Sequence, residues 1–399
     1  MRQIHLFVRT LSALAAAALF AACSSSGSSG EITPSGVAPD SQTRLAQSAV
    51  RIDVAHVQFA YVVNNGSNNV SAYKIKTSGA LTPVAGSPFG KGSAPTGVAV
   101  DPTGKFAYVA NLASANVSAY AINATSGALT PVAGSPFEAG SEPVGVAVDP
   151  TGKFAYVANV GSNNVSAYTI NATSGALTPV AGSPFAAGTQ PEGVAVDPTG
   201  KFAYVPNFVS NNVSAYKIKT TGALMPVAGS PFAAGTQPEG MAVDPTGKFA
   251  YVPNFGSNNV SAYKIKTTGA LTPVTGSPFA AGSNPYGVAV DPTGTFAYVA
   301  NLSSDNVSAY TINATSGALT PVAGSPFAAG SNPVGVAVDP TGKFAYVTDT
   351  GSSNVSAYTI NATSGALTPM AGSPFAAGTG PFGIATCRRV GSTCKPAPL

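Results

Sequence analysis

Histidine is almost missing from this 399-residue chain, which has only His5 and His56. With His5 near the N-terminus and His56 just before the first repeat, a Ser-His-Asp triad or a His-based metal centre is nearly excluded. Charge is scarce as well. Asp, Glu, Lys and Arg together make up 9% of the residues, well below an average soluble domain. The net charge is +4, and no run of Lys or Arg follows a line that a phosphate backbone could track, which argues against a nucleic-acid partner. There are three cysteines, and neither Cys-x-x-Cys nor His-Glu-x-x-His occurs. No cofactor and no metal is expected, and no catalytic residue can be named.

Apolar residues are plentiful at 44%, enough for a core, and Asn, Ser, Thr and Gly supply most of the polarity. Their order is periodic. Val-Ser-Ala-Tyr begins at Val70, Val117, Val165, Val213, Val260, Val307 and Val355, at intervals of 47 or 48 residues. Asp-Pro-Thr-Gly begins at Asp101, Asp149, Asp197, Asp244, Asp291 and Asp339. A period in the forties filled with short β-like runs predicts an all-β, seven-bladed β-propeller with four antiparallel strands per blade. In one repeat, Gly145–Val148, Phe154–Ala158 and Val165–Ile170 read as strands, and an outermost strand starts at Leu177–Val180. Alternation puts Phe154 and Tyr156 on one side and Ala155 and Val157 on the other. The expectation is an aromatic face and a small-residue face on every sheet. The first repeat lacks its Gly-Val-Ala-Val strand, and Pro381–Thr386 supplies one at the far end, so the C-terminal strand should close the first blade.

Residues 1–22 read as a signal sequence: Arg2 and Arg9, an apolar stretch from Leu11 to Phe20, then two alanines. Leu19-Phe20-Ala21-Ala22-Cys23 resembles a bacterial lipobox, with Cys23 as the lipidated residue. An ordinary secretory signal cleaved near the same alanines is the alternative. The Ser/Gly tract directly after Cys23 favours the lipoprotein, anchored in the cell envelope at the periplasm or cell surface. Residues 23–50 then form a flexible linker, 51–386 the propeller and 387–399 a tail. In that tail Cys387 and Cys394 should form a disulfide in an oxidising compartment.

The segment Pro191–Asn207 resembles the YVTN-type propeller repeat, with Tyr156-Val157-Ala158-Asn159 in the neighbouring repeat closer still. Gly127–Phe137 (Gly-Ala-Leu-Thr-Pro-Val-Ala-Gly-Ser-Pro-Phe) resembles repeats of the lactonase-like seven-bladed group. The resemblance implies that the Gly-Val-Ala-Val strand lines the central channel. Its group contains lactone hydrolases related to 6-phosphogluconolactonase, and fold alone does not carry activity.

With that strand innermost, the loop leading into it shares one rim with the loop after the second strand. Among near-identical repeats, the positions that differ carry the information. Around the proline of each lead loop stand Glu142, Gln190, Glu192, Gln237, Glu239, Asn284, Tyr286 and Asn332, with Lys91 the one cation of these loops. They are the candidate ligand-binding residues, suited to a cation, an amine or a polyhydroxylated ligand. Drift of solvated loops after duplication would leave the same variation. Gly378–Gly383 matches Gly-x-Gly-x-x-Gly but has Pro381 where a helix would begin, so it is one more lead loop. The first expectation is a monomeric scaffold that binds an envelope protein or a small polar ligand, with the membrane reached through the anchor only. The second is a lactone hydrolase working through the rim carboxylates.

Overall fold

The computed structural model describes residues 58–90, 92–390 and 393–396, without the side chains of 390 and 393–395. The segments expected to be a signal sequence and a linker, together with Cys23, His56 and Lys91, fall outside the described residues.

Seven β-sheets make seven blades, and every described element is a strand. Blade 1 runs over Gln58–Pro83, and blades 2 to 7 begin at Pro95, Pro143, Pro191, Pro238, Pro285 and Pro333. Blade 3 shows the unit: innermost Pro143–Val148, second Phe154–Asn159, third Asn164–Ile170, all antiparallel. The Asp-Pro-Thr-Gly turn holds the first hairpin through its carboxylate. Asp149 is buried, and its Oδ1 accepts from Lys153 N–H (2.8 Å) and Phe154 N–H (2.7 Å) while Oδ2 takes the Thr151 N–H and hydroxyl. The second hairpin is held by Asn159, whose amide donates to Asn164 Oδ1 at 2.8 Å and Ser166 Oγ at 2.9 Å.

Two details differ from the sequence expectation. The outer strand is broken into Leu177–Pro179 and Phe185–Ala186, both paired with the third strand. Between them Ser183 precedes a cis proline, and its hydroxyl accepts from Ala167 N–H at 2.9 Å, satisfying a donor in the third strand. The faces are also mixed rather than sorted. The register sets Tyr156 opposite Ala167 and Ala155 opposite Tyr168, so each face carries aromatics from one strand beside small residues from the next. Phe106, Tyr108, Val117 and Ala119 of blade 2 therefore pack on Ala155, Val157, Tyr168 and Ile170 of blade 3.

Hydrogen bonds tie the blades in both directions. Second-strand tyrosines reach forward to a turn carbonyl of the next blade, from Tyr61 to Gly127 O (3.1 Å) round to Tyr346, which closes the circle on Gly79 O (2.7 Å). Third-strand tyrosines reach back, as Tyr216 does to Ala186 O at 2.6 Å. Burial and the loss of water push all these phenols above the usual range, the first-mentioned set most. Of the 15 tyrosines, Tyr286 alone lies outside the second and third strands of the blades.

The C-terminal strand Pro381–Val390 pairs with Gln58–Asn64 and closes blade 1, as expected. It turns back into Thr393–Pro396, which sets Cys394 across from Arg389. Cys387 is fully buried and disulfide-bonded.

One blade breaks the hairpin rule. Asp349 of blade 7 stands where the other six have Asn, and it is fully buried. It accepts from Ser356 N–H and Oγ at 3.1 and 2.7 Å but has no amide to offer Asn354 Oδ1, which is left without a partner among the described residues. Desolvation raises the Asp349 pKa to about 6, against the lowering effect of the Ser356 and Gly330 hydrogen bonds. A carboxyl raised on folding contributes most below its unfolded value of about 4, and that contribution is lost as pH rises through about 6. Asp349→Asn should therefore raise thermal stability at pH 8, by about 2 kcal/mol, and do little at pH 4. Melting curves at both pH values check this.

Candidate functional site at the channel mouth

The innermost strands meet around the channel through one glycine each. A β-carbon built on Gly97 would lie 2.3 Å from Val144 O, on Gly287 2.3 Å from Val334 O, and on Gly335 2.4 Å from Phe382 O. At Gly383 the distance is 2.5 Å to Thr96 O, and at Gly145 2.8 Å to Gly193 Cα. Side chains do not fit there, so the ring is close-packed by backbone. It slackens in one sector. The same distance is 3.6 Å at Gly193, facing Glu239 O, and 3.0 Å at Gly240, facing Tyr286 O.

That sector, blades 4 to 6, is also where the residue before each glycine is polar and large. Glu192 (5% exposed) and Glu239 (2% exposed) are buried, and Tyr286 beside them is half-buried. Glu192 N–H and Glu239 N–H donate to Pro206 O and Pro253 O at 3.1 and 3.0 Å, which fixes their backbone at the mouth. The Tyr286 hydroxyl donates to the Glu239 carboxyl. Oε2 of Glu239 is buried and meets no hydrogen-bond partner among the described residues.

Desolvation, then the neighbouring Glu192 charge, lifts the Glu239 carboxyl well above the usual carboxylate range, and the Tyr286 bond offsets only part of this. Burial and the same two carboxyl groups push the Tyr286 hydroxyl up as well. Glu239 therefore holds its proton to higher pH than an ordinary carboxyl does. Aromatic rings flank the pair. Phe208 and Phe255 lie 6.2 Å apart, Phe255 and Tyr286 6.5 Å, and Tyr286 meets Phe382 of blade 1 edge-on at 5.5 Å.

The other candidates sit along the rim rather than at this pair. Glu142, Gln190, Gln237, Asn284 and Asn332 all have left-handed backbones, with φ between 52° and 56°. Their carbonyls tie the lead loop to the second hairpin loop of the same blade, as Gln190 O does to Phe208 N–H at 2.8 Å. The N–H of Gln190, Gln237, Asn284 and Asn332 each meets a side chain of the preceding blade (Asn163, Asn211, Asn258 and Asp305) at 2.8 Å. Asn284 and Asn332 also donate their amides to Phe255 O and Leu302 O of the preceding blade, at 3.0 and 3.2 Å. The side chains of Glu142 and Gln237 lie over Gly161 and Gly256 of their own blades. Glu142 does not join the carboxylate pair. Among the described residues no group of three or more His, Cys, Asp or Glu is placed to hold a metal ion.

Sequence reasoning passed over Pro206 and Pro253, Phe208 and Phe255, and Phe382. The signal was available. Only blades 4 and 5 have Pro before the hairpin Asn, Phe after it and Glu after the lead proline.

The profile of the family described as "Lactonase, 7-bladed beta-propeller" matches residues 23–147 and 138–337. The chain belongs to this lactonase family. No curated protein matches its sequence. Similar solved structures of the same fold include a proposed 6-phosphogluconolactonase from Bacteroides fragilis, with a TM-score of 0.74 and 19% identity over 84% of this chain and 99% of that one. The periplasmic gluconolactonase PpgL of Pseudomonas aeruginosa gives a TM-score of 0.71 at 17% identity, covering 83% of this chain and 98% of its own. Hydrazine synthase from Kuenenia stuttgartiensis also matches, at a TM-score of 0.57 and 18% identity over 73% of this chain and 92% of that one. A lactonase-family propeller thus shares its frame with unrelated chemistry, and its own site must carry the functional argument.

Proposed function

We propose that the protein hydrolyses an uncharged lactone at the mouth formed by blades 4, 5 and 6. The observation that carries this is the buried pair Glu192 and Glu239, bonded through Glu239 to Tyr286, in a chain of the lactonase family. Family membership favours hydrolysis over the binding scaffold that the low divergence of the repeats suggested first.

The chemistry needs two proton transfers. Glu192 takes a proton from a water as its oxygen attacks the lactone carbonyl, and protonated Glu239 gives one to the ring oxygen as the acyl C–O bond breaks. The product is the open hydroxy acid. Environments that separate two carboxyl groups in this way assign one as base and one as acid. The aromatic rings from Phe208 to Phe382 supply an apolar wall for the ring face of the substrate. Among the described residues the solvent-reaching charges on this rim are carboxylates, including Glu142 and Asp305, so a phosphorylated lactone would meet repulsion. With Cys23 as a lipid anchor, the reaction would take place in the bacterial cell envelope.

The test is a panel of neutral sugar lactones, acyl lactones and a phosphorylated sugar lactone, followed by acid release. Faster turnover of a neutral lactone than of the phosphorylated one is expected. Rates no higher than in buffer for every member would remove the hydrolytic reading.

A further inference from the structure

Two features of the slack sector coincide with two prolines. The second strand reads Tyr-Val-Ala-Asn in blades 2, 3 and 6, with Ala110, Ala158 and Ala300, but has Pro206 in blade 4 and Pro253 in blade 5. In blade 2, Ala110 pairs with Gly97 of the innermost strand. Counting back from Asp101, whose N–H bonds Phe106 O, this is one of the positions where the two strands exchange hydrogen bonds. Proline has no N–H to give, so the carbonyls of Gly193 and Gly240 lose their cross-strand donor. The innermost strand shrinks accordingly. It pairs at Pro143 and over Val146–Val148 in blade 3, but at Pro191 and over Ala195–Val196 in blade 4, and at Pro238 and over Ala242–Val243 in blade 5.

The glycine ring reports the same change from the neighbouring side. The two places where a β-carbon would be least crowded, Gly193 at 3.6 Å and Gly240 at 3.0 Å, are the two glycines opposite these prolines. Where the second strand keeps its donor, the residue after the lead proline is folded into the packing between blades. Thr96 does this, with its hydroxyl donating to Pro143 O and Val144 O at 3.2 and 3.1 Å. Where the donor is missing, that residue is Glu192 or Glu239.

We infer that Pro206 and Pro253 are positioning residues that untie the innermost strands of blades 4 and 5, open the ring there, and so bring Glu192 and Glu239 into one shared, dry site. The inference rests on the proposed hydrolysis for its catalytic meaning but not for its structural content. The site is then local by construction. One repeat unit carries both the loosened strand and the acid, and two adjacent copies of that unit make a pair.

The test uses the full chain with Pro206→Ala and Pro253→Ala together. Alanine already occupies this position in three other blades, so the variant should fold, and its melting temperature should not fall. Two readings are taken, kcat and KM on a neutral lactone and the carbon-13 titration of the glutamate carboxyl carbons. We expect the raised carboxyl midpoint of Glu239 to move in the variant and kcat to drop about tenfold or more with KM nearly unchanged, because the acid pair is misplaced rather than removed. Ala110→Pro in blade 2, whose partner Gly97 packs on Val144 and not on either glutamate, should leave the titration as it is. A wild-type titration curve in the Pro206→Ala/Pro253→Ala protein, or an equal shift in Ala110→Pro, would overturn the inference. If the wild type turns over no lactone, the hydrolytic reading fails by itself, and the titration still decides whether the prolines set the pair.

Discussion

Gly287→Ala should destabilise the propeller by about 1–3 kcal/mol, while Gly193→Ala should leave stability unchanged or raise it slightly. The two substitutions are chemically identical and occupy the same repeat position. At Gly287 the new methyl would lie 2.3 Å from the backbone oxygen of Val334, which cannot swing away without separating blades 6 and 7. At Gly193 the nearest atom is Glu239 O at 3.6 Å, an ordinary contact, and the backbone is not in the left-handed region. The alanine then only removes freedom from the unfolded chain. Thermal or denaturant unfolding of the two variants gives the difference directly. Equal losses at both glycines would mean that the ring is uniformly tight and that the mouth between blades 4, 5 and 6 is not open.

The second large effect concerns the acid pair. Glu239→Gln keeps the shape and leaves an amide oxygen for Tyr286, but it has no acidic proton, and lactone turnover should fall by about two to four orders of magnitude. Glu192→Gln should reduce turnover by a similar factor through loss of the base. It should also bring the Glu239 carboxyl back towards the ordinary range, because one of the two causes of its rise is the Glu192 charge. The sign of the pH dependence follows. Glu239 acts while protonated, so activity should persist above the ordinary carboxyl range and decline as pH rises through the raised midpoint. The stability that the proton confers is full below the ordinary value and is lost over the same rise. Rate–pH profiles of the wild type and Glu192→Gln separate this from a structural effect, since a merely loosened fold would lower the rate without moving the midpoint.

Most of the propeller could be read in advance because its repeat is nearly exact. Seven copies of Val-Ser-Ala-Tyr and a first repeat short of one strand are enough to count the blades and to close them. The facing of the side chains was not legible. Alternation along Phe154–Asn159 is visible in the sequence, but which residue of the third strand lies beside Tyr156 depends on the hairpin loop and its register, and that register sets Ala167 there. The break in the outer strand was hidden for a related reason. Its outcome depends on a serine hydroxyl replacing a strand partner, a contact between residues 16 apart.

For the mouth, variation between repeats named Glu192, Glu239 and Tyr286, which the structure sets side by side. The same signal applied to the second strand would have named Pro206 and Pro253. They were overlooked because proline in an edge or turn position usually answers to local geometry. The lead-loop amides show the limit of the method. Asn284 and Asn332 vary and are polar, as a ligand-binding residue would be, yet both occupy a left-handed backbone position that asparagine tolerates well. Their amides bond the preceding blade. Nothing in a single sequence separates those two reasons for an asparagine.

The central claim is that one buried glutamate of an adjacent pair holds its proton well above the ordinary carboxyl range. Glu31, Glu138, Glu142, Glu192 and Glu239 are the only glutamates in the chain, so a carbon-13 carboxyl titration can resolve them one by one. The account predicts one carboxyl carbon titrating well above the ordinary carboxyl range, absent in Glu239→Gln and shifted to lower pH in Glu192→Gln. Five glutamates all titrating in the ordinary range would contradict it.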